Sequence, residues 1–200
     1  MQLQIPPGDF AGFIFDLDGT LIDTMPLHYL AWRDALRDQG LGQDLDEDLF
    51  YSLGGMPALQ VAEVFRAHYR ANFDSVKTRS SKEAHFMSLL PRATIIEPVV
   101  AFAREAARRA PVSVASGGPR DVVLRTLRHH GLAELFPVVV TADDVANGKP
   151  APDSFLLAAQ RMGVPAKRCL VFEDAEPGIA AALAAGMQYV RVSSRQLTRE

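Results

Sequence analysis

The feature that most constrains the fold is an apolar run that ends in two aspartates. Residues 10–15 read FAGFIF, and residues 16–20 read DLDGT. A short apolar run bounded by turn residues is typical of a buried strand. Strand residues alternate in direction, so Asp16 and Asp18 can face the same way just beyond the strand. Ligands bind at that end of open α/β sheets, and paired carboxylates suit a hard cation such as Mg²⁺. Taken alone, the same letters also fit an Asp-rich turn without a ligand.

The second half of the chain alternates helical and strand-like segments. Strand-like runs occur near 111–115, 136–140, 168–172 and 188–192, with amphipathic helical patterns between them. Strands separated by helices imply parallel βαβ units with right-handed crossovers. We therefore expect an α/β fold with a Rossmann-like, doubly wound parallel sheet, to which the strand at 10–15 also belongs.

The segment between the first strand and this alternating half is helical in character. Apolar residues between about 23 and 94 recur with helical spacing, and no convincing strand lies among them. The letters GGMP at 54–57 predict that 49–56 is a loop. We expect an inserted α-helical cap domain at 23–94 and a core domain formed by 1–22 and 95–200.

Composition excludes several classes of function. A formal net charge of −3 over 200 residues gives no basic surface for nucleic acid, so we expect no nucleic-acid partner. The single cysteine, Cys169, excludes an internal disulfide framework and fits a reducing compartment. It lies in an apolar run, which indicates an inert core residue rather than a reactive thiol.

Targeting signals are also missing from the sequence. Residues 1–9 lack the basic and apolar regions of a signal peptide, and no apolar run approaches the length of a membrane span. We expect a cytoplasmic protein with no membrane partner, and a monomer is the default expectation. The polar tail at 193–200 is expected to fray.

Polar side chains follow the later strands, as the two aspartates follow the first. Ser116, Lys149 and the pair Glu173 and Asp174 each come after a strand or in the loop behind it. The carboxyl ends of parallel strands share one sheet edge, so these residues should converge. A carboxylate nucleophile can form an aspartyl-phosphate, and a second carboxylate can act as general acid and then as general base. A hydroxyl, a lysine and Mg²⁺ would surround the transferred phosphoryl group.

Four motifs in this order make the chain resemble the haloacid dehalogenase-superfamily phosphotransferases. They read DLDGT at 16–20, VASG at 114–117, GKPAPD at 148–153 and FEDAEPGI at 172–179. The resemblance is to the subgroup that contains β-phosphoglucomutase and the sugar-phosphate phosphatases of the fructose-1-phosphate phosphatase type. It covers residues 13–32 and 112–192, which are most of the core and the start of the cap.

The resemblance implies the catalytic and metal-binding residues. Asp16 would be the nucleophile and also a ligand of Mg²⁺. Asp18 would be the acid/base, with its backbone carbonyl on the metal. Asp174 would be a metal ligand, directly or through water. Glu173 would support the metal site, and for this residue an indirect role is almost as well supported as direct ligation.

The resemblance also implies residues that bind the phosphoryl group or the rest of the substrate. These are Thr20, His28, Gly54, Ser116, Gly117 and Lys149. His28 and Trp32 lie four residues apart and so share a helix face. Trp32 fits a substrate role and simple packing of the cap equally well. Asp23 and Thr24 resemble a hinge pair, for which we expect a role in anchoring the cap rather than in catalysis.

Departures from the mutase pattern favour a phosphatase. Thr20 stands where the mutases tend to carry valine. Gly118 and Pro119 stand where mutases have a serine and a lysine that contact the substrate. An arginine expected after the glycine pair is absent from MPALQ at 56–60. A mutase must hold a bisphosphate at both ends, so the loss of cationic groups is a physical objection to that activity.

We therefore expect a Mg²⁺-dependent phosphatase that hydrolyses a small phosphorylated sugar or polyol through an aspartyl-phosphate. The alternative is a β-phosphoglucomutase-type isomerase, in which Arg120 or Lys82 would supply the missing positive charge. A catalytically idle phosphate-binding protein and a nucleotide or protein phosphatase are two further hypotheses. The small cap makes large substrates less attractive, because lidded sites suit compact ligands.

Overall fold

The core of the molecule is a five-stranded parallel sheet in the order β5–β4–β1–β6–β7, as seen in a computed structural model that describes residues 3–193. The strands of this sheet are β1 Gly12–Phe15, β4 Val112–Ala115, β5 Val138–Val140, β6 Cys169–Glu173 and β7 Gln188–Arg191. Helices α5 Glu97–Ala107, α6 Arg120–His129, α7 Asp153–Met162 and α8 Glu176–Ala184 connect them. This confirms the predicted α/β class with a Rossmann-like parallel sheet.

Strand β1 lies at the centre of the sheet, and apolar side chains cover both of its faces. Phe15 stacks on Phe172 at a ring-centroid distance of 4.6 Å on one face, whereas Ile14 packs into a second apolar cluster on the other face. Phe15 pairs with Val114 of β4 and with Phe172 of β6. That register places the residues that follow these three strands side by side at one edge.

Four helices form the inserted cap: α1 Met25–Asp38, α2 Glu47–Ser52, α3 Ala58–His68 and α4 Ser75–Leu89. Helices α1, α2 and α3 share an apolar cluster of their own that includes Trp32, Phe50 and Phe65, whereas Phe86 of α4 belongs to the apolar cluster of the core. Trp32 is buried and packs edge-on against Phe65, so it does pack the cap. None of the described helices has the length and apolar character needed to cross a membrane.

The cap joins the core through a two-stranded antiparallel ribbon of β2 Ile22–Asp23 and β3 Thr94–Ile95. The sequence predicted no strand between 23 and 94, and the ribbon corrects this at both ends of that segment. Strands this short carry no recognisable alternation, which explains why the sequence did not show them. We propose the domain division 1–22 and 95–200 against 23–94, because the ribbon sits at both crossing points.

Helix α2 occupies the first half of the loop that the sequence predicted at 49–56, so that prediction was wrong there. The Asp46 side chain accepts a hydrogen bond from the Leu49 amide at 2.9 Å and caps the helix. Two acidic residues in the first turn also favour the helix N-terminus. Phe50 is buried in the cap, and this tertiary contact stabilises a helix that would be too short alone.

Two other predictions concern the end of the chain and its cysteine. The predicted fraying of the tail falls, from residue 194 onward, outside the described residues. Cys169 is fully buried at the start of β6, and burial raises its pKa to about 11. The thiol is therefore uncharged at neutral pH, which confirms the expected inert core role.

Candidate active site

Lys149 contacts two acidic residues at the floor of the site, which consists of Asp16, Lys149, Glu173 and Asp174. Its Nζ donates to Asp16 Oδ1 at 2.6 Å and to Glu173 Oε1 at 2.9 Å. Asp16 follows β1 and Glu173 ends β6, so neighbouring strands deliver both carboxyl groups. Lys149 is only 1 % exposed, and its ammonium lies 4.9 Å from the Phe155 ring centroid. It is the cation of the floor and not a solvated loop lysine.

The floor carries more acidic groups than this single ammonium can balance. Burial and, next, the nearby Glu173 carboxylate together raise the pKa of Asp16 to about 8 against the opposing effect of Lys149. Burial and Glu173 also raise the pKa of Asp174 well above its usual range. Burial alone would lower the pKa of Lys149, but Asp16 and Glu173 hold it above its ordinary value. An additional cation would therefore stabilise the ionised carboxylates.

The acidic cluster fits a metal ion. Carboxylate oxygens of Asp16, Glu173 and Asp174 lie within 4.8 Å of one another. Oxygen donors are the ligands that hard divalent cations prefer. Neighbouring groups orient the cluster: the Thr20 hydroxyl donates to Asp174 Oδ1 at 3.3 Å, and the Asp174 and Ala175 amides donate to Glu173 Oε2. In this structure, then, the hydroxyl of Thr20 contacts an acidic residue of the cluster.

Two glycines let the backbone approach these carboxylates closely. A Cβ atom at Gly178, in the first turn of α8, would overlap the Glu173 carboxyl group. Gly19 has a φ of +84°, and a Cβ there would overlap the Asp174 carboxyl group. Sequence reasoning placed Gly178 in the fourth motif but gave it no role, because close backbone approach has no local signal beyond the glycine itself.

Asp18 is bonded to partners from the cap, whereas Lys149 is bonded to Asp16 and Glu173. The Thr24 hydroxyl donates to Asp18 Oδ1 at 2.6 Å, and His28 Nε2 lies 3.0 Å from the same oxygen. Burial opposes ionisation, but His28 beside the carboxylate and the bonds from His28 and Thr24 lower the pKa of Asp18 to about 2. The His28 ring stacks on Phe86 at 3.9 Å. The two aspartates that sequence paired thus have opposite electrostatic environments.

Thr24 is a residue whose contact with the site the sequence did not indicate. We predicted a hinge role for it, and it does follow ribbon strand β2 directly. Its hydroxyl also fixes the Asp18 carboxylate, which couples the start of the cap to that residue. The spacing of six residues between the two offered no recognised signal.

The loop after β4 lies directly under the cap. The Ser116 hydroxyl accepts a hydrogen bond from the Gly118 amide at 3.0 Å. A Cβ at Gly117 would overlap the Gly55 carbonyl oxygen, and one at Gly54 would come within 2.9 Å of the Ala175 Cβ. Gly54 and Gly117 therefore allow the cap and core loops to touch. Direct contact of either glycine with substrate stays a prediction.

A cavity runs between these loops and the cap helices. From the core, Asp16, Asp18, Ser116 and Gly117 line it, and His28, Trp32, Gly54 and Lys82 do so from the cap. Trp32 thus lines the cavity in addition to packing the cap. Lys149, Glu173 and Asp174 lie behind this wall in contact with Asp16 or its neighbours. The structure therefore brings together residues from all four motifs.

Of the two cations that could compensate in a mutase, only Lys82 lines this cavity. Its Nζ lies 5.7 Å from the Trp32 ring centroid and 5.4 Å from that of Phe86, and burial lowers its pKa to about 8. Within residues 3–193 it makes no hydrogen bond or ion pair. Arg120 instead donates to both carboxylate oxygens of Asp144, at 2.7 and 2.6 Å.

Comparison with known proteins agrees with this geometry. The family model for haloacid dehalogenase-like hydrolases matches residues 10–186. The chain belongs to this family. Haloacid dehalogenase-like hydrolases are enzymes, and the residues that the model spans include all of the acidic floor, Lys149 and the whole cap.

Two curated relatives and two solved structures are informative. The chain is 40 % identical over 183 residues to fructose-1-phosphate phosphatase YqaB of Escherichia coli, covering 92 % of this chain and 96 % of that protein. It is 32 % identical to hexitol phosphatase A of the same organism, covering 92 % and 83 %. β-Phosphoglucomutase from Clostridium difficile superposes with a TM-score of 0.80 at 26 % identity, covering 90 % and 83 %. CbbY from Rhodobacter sphaeroides, in complex with phosphate, gives 0.79 at 25 %, covering 90 % and 84 %.

Proposed function

We propose that this hydrolase is a Mg²⁺-dependent phosphatase of small phosphorylated sugars or polyols. The observation that carries the proposal is the buried contact of Lys149 with Asp16 and Glu173 at the floor of a capped cavity. An anionic phosphoryl group placed there meets a carboxylate nucleophile beside a fixed cation. The similarity to a fructose-1-phosphate phosphatase and to a hexitol phosphatase supports the substrate class.

The reaction proceeds in two displacements at phosphorus. An Asp16 carboxylate oxygen attacks the phosphorus, the bond to the sugar oxygen breaks, and Asp18 gives its proton to that oxygen. Asp18 then takes a proton from a water molecule, which attacks the phosphorus and releases inorganic phosphate from Asp16. Ser116 and Lys149 hold the phosphoryl oxygens through both steps. Each step leaves the protein in the protonation state that the next one requires.

Asp18 must gain a proton before it can act as an acid, because its pKa of about 2 keeps it ionised in this structure. The negative charge of a bound phosphate ester raises the pKa of a neighbouring carboxyl group. Substrate entry therefore favours the protonated form. His28 and Thr24 hold Oδ1 of Asp18 and so orient the carboxyl group during transfer.

We assign the metal site to Asp16, the Asp18 carbonyl and Asp174, with Glu173 in support or in direct ligation. When bound, Mg²⁺ would offset the negative charge of the carboxylates and of the substrate phosphoryl group. Thr20 and Glu173 orient this site through the bonds described above. We further propose that the enzyme is cytoplasmic, which its single cysteine supports, and that it acts as a monomer.

A mutase activity is the second candidate, and the observation that favours it is Lys82. This buried cation lies on the cap side of the cavity, where a mutase needs positive charge for the second phosphate. Against it, Gly118 and Pro119 line the same cavity without a side-chain donor, and Arg120 is engaged with Asp144. A single cation would balance less of the charge of a bisphosphate than a mutase needs, so this cavity fits a phosphatase better than a mutase.

Phosphate release from a panel of phosphorylated sugars tests the proposed function. With Mg²⁺, we expect hydrolysis of esters such as fructose 1-phosphate, 2-deoxyglucose 6-phosphate or β-glucose 1-phosphate. A chelator should lower the rate by about 10²- to 10³-fold, since a metal ion contributes several kcal/mol to charge stabilisation. Restoring Mg²⁺ should restore the rate.

Two outcomes would contradict the proposal. Conversion of β-glucose 1-phosphate into glucose 6-phosphate with little free phosphate would make the enzyme a mutase. Binding without turnover of any ester, including a generic aryl phosphate, would support a phosphate-binding protein instead.

A further inference from the structure

The hydroxyl of Thr126, in α6, has no hydrogen-bond partner among the described residues although it is buried. The residue is 1 % exposed. A threonine inside a helix often donates to the carbonyl four residues earlier, but this one does not. Buried polar groups are nearly always satisfied, so an unpaired hydroxyl calls for an explanation. Its position supplies one, because Thr126 lines the active-site cavity.

Helix α6 extends the cavity wall away from the phosphoryl-binding loop. The helix begins at Arg120, directly after the loop that contains Ser116. Val122 and Thr126 lie four residues apart, on one face, and both line the cavity. At 1.5 Å per residue, Thr126 lies about 9 Å along the helix axis from Arg120. It therefore faces a part of the substrate that is remote from the phosphate.

The α6 residues beside Thr126 at the cavity, Val122 and Val123, are apolar. The cap lines the cavity with apolar residues such as Phe50 and Val61 and with the polar side chains of His28 and Lys82. The Thr126 hydroxyl has no partner among the described residues, so a ligand in the cavity could take that place. A sugar or polyol hydroxyl is the matching group, because it can both donate and accept.

We propose that Thr126 is a specificity-determining residue that hydrogen-bonds a substrate hydroxyl remote from the phosphate. The inference rests on the proposed phosphatase function and defines the substrate class more narrowly. Phosphate esters of a hydroxylated carbon chain long enough to reach Thr126 are preferred. Short esters, such as a two-carbon phosphoester, and analogues without the remote hydroxyl leave Thr126 unpaired and are disfavoured.

Substitutions at Thr126 separate this role from simple packing. Thr126→Val keeps the shape and removes the hydroxyl, whereas Thr126→Ser keeps the hydroxyl. Ser113→Ala is the matched control, because the buried Ser113 hydroxyl in β4 also has no partner within residues 3–193 but does not line the cavity. Each variant is assayed by kcat/KM on the best sugar phosphate of the panel and on its singly deoxygenated analogues.

In the parent, loss of one remote hydroxyl from the substrate should lower kcat/KM by about tenfold. In Thr126→Val, the ratio of kcat/KM for the full substrate to kcat/KM for its deoxygenated analogue should fall to about one. The Tm of this variant should be equal or higher, because no buried hydroxyl is left unpaired. Thr126→Ser and Ser113→Ala should keep the parental ratio. Identical ratios in Thr126→Val and the parent for every analogue would overturn the inference.

A binding measurement keeps this test separate from the test of the phosphatase function. In an Asp16→Asn background, titration calorimetry with the same sugar phosphate reports the contact without turnover. Addition of Thr126→Val should weaken binding about tenfold. Equal affinities would refute the Thr126 contact while leaving the phosphatase function intact. Absence of binding by any sugar phosphate would refute both.

Discussion

Replacing Asp16 with asparagine should lower the rate of phosphate release by at least about 10³-fold, because an amide oxygen cannot form the covalent phosphoryl intermediate. The substitution keeps the size of the side chain and leaves Lys149 paired with Glu173. Steady-state release of inorganic phosphate from the best sugar ester measures the effect. Circular dichroism should show an unchanged fold.

Asp9→Asn is the matched control for this substitution. The Asp9 side chain is 89 % exposed and pairs with Arg168 at the surface. It does not belong to the acidic cluster of Asp16, Glu173 and Asp174. Its removal should leave the rate within twofold of the parent, since exposed ion pairs contribute little. If Asp16→Asn retained a rate comparable to that of Asp9→Asn, Asp16 would not be the nucleophile.

Replacing Lys149 with methionine should affect both activity and stability. The variant leaves the buried carboxyl groups of Asp16 and Glu173 without their cation, and breaking a buried ion pair typically costs about 3–5 kcal/mol. The loss of a preorganised positive charge at the phosphoryl group should lower kcat by about 10²- to 10³-fold. Thermal unfolding and phosphate release measure the two effects.

The stability of this variant should depend on pH with a defined sign. Burial raises the pKa of Asp16 to about 8 even with Lys149 present, so without that lysine the carboxyl group binds a proton still more readily. The folded variant takes up protons that the unfolded chain does not, and its stability rises as pH falls from 8 to 5. Lys167→Met, at an exposed lysine, is the control. Equal melting temperatures of the two variants at pH 8 would contradict the buried ion-pair account.

The core of the fold was predictable because several independent signals agree. The apolar run at 10–15 is long enough to be a strand, and the alternation after residue 95 fits only a parallel sheet. Glycine and proline mark most of the element ends. The helical character of 23–94 likewise follows from spacing alone. Residues of the four motifs could be placed at one sheet edge from topology without any coordinates.

The remaining features depend on distances that sequence does not contain. The contact of Thr24 with Asp18 requires the turn between β1 and β2 to bring the two side chains together. The close approach of Gly117 to Gly55 joins residues from different domains of the proposed division. Helix α2 exists because Asp46 caps it and Phe50 is buried, and a single-sequence pattern showed only the glycines that follow. Such features arise from tertiary packing rather than local propensity.

The opposite environments of Asp16 and Asp18 are the part of the site that sequence could suggest but not establish. Two carboxyl groups two residues apart look equivalent in the motif. Lys149 contacts one, and His28 with Thr24 contacts the other. Burial raises the pKa of Asp16, whereas the contacts with His28 and Thr24 lower that of Asp18. An added cation would therefore favour the ionised nucleophile, and a bound phosphate ester would favour the protonated acid.

The account stands on the transfer of the phosphoryl group to Asp16, and trapping that group tests it most directly. The enzyme is mixed with Mg²⁺ and a sugar phosphate radiolabelled in the phosphoryl group, quenched in acid within milliseconds, and digested for peptide mapping. We predict a hydroxylamine-sensitive label on the peptide that carries Asp16, and none in Asp16→Asn. Label on another residue, or rapid phosphate release with no covalent label in the parent, would contradict the account.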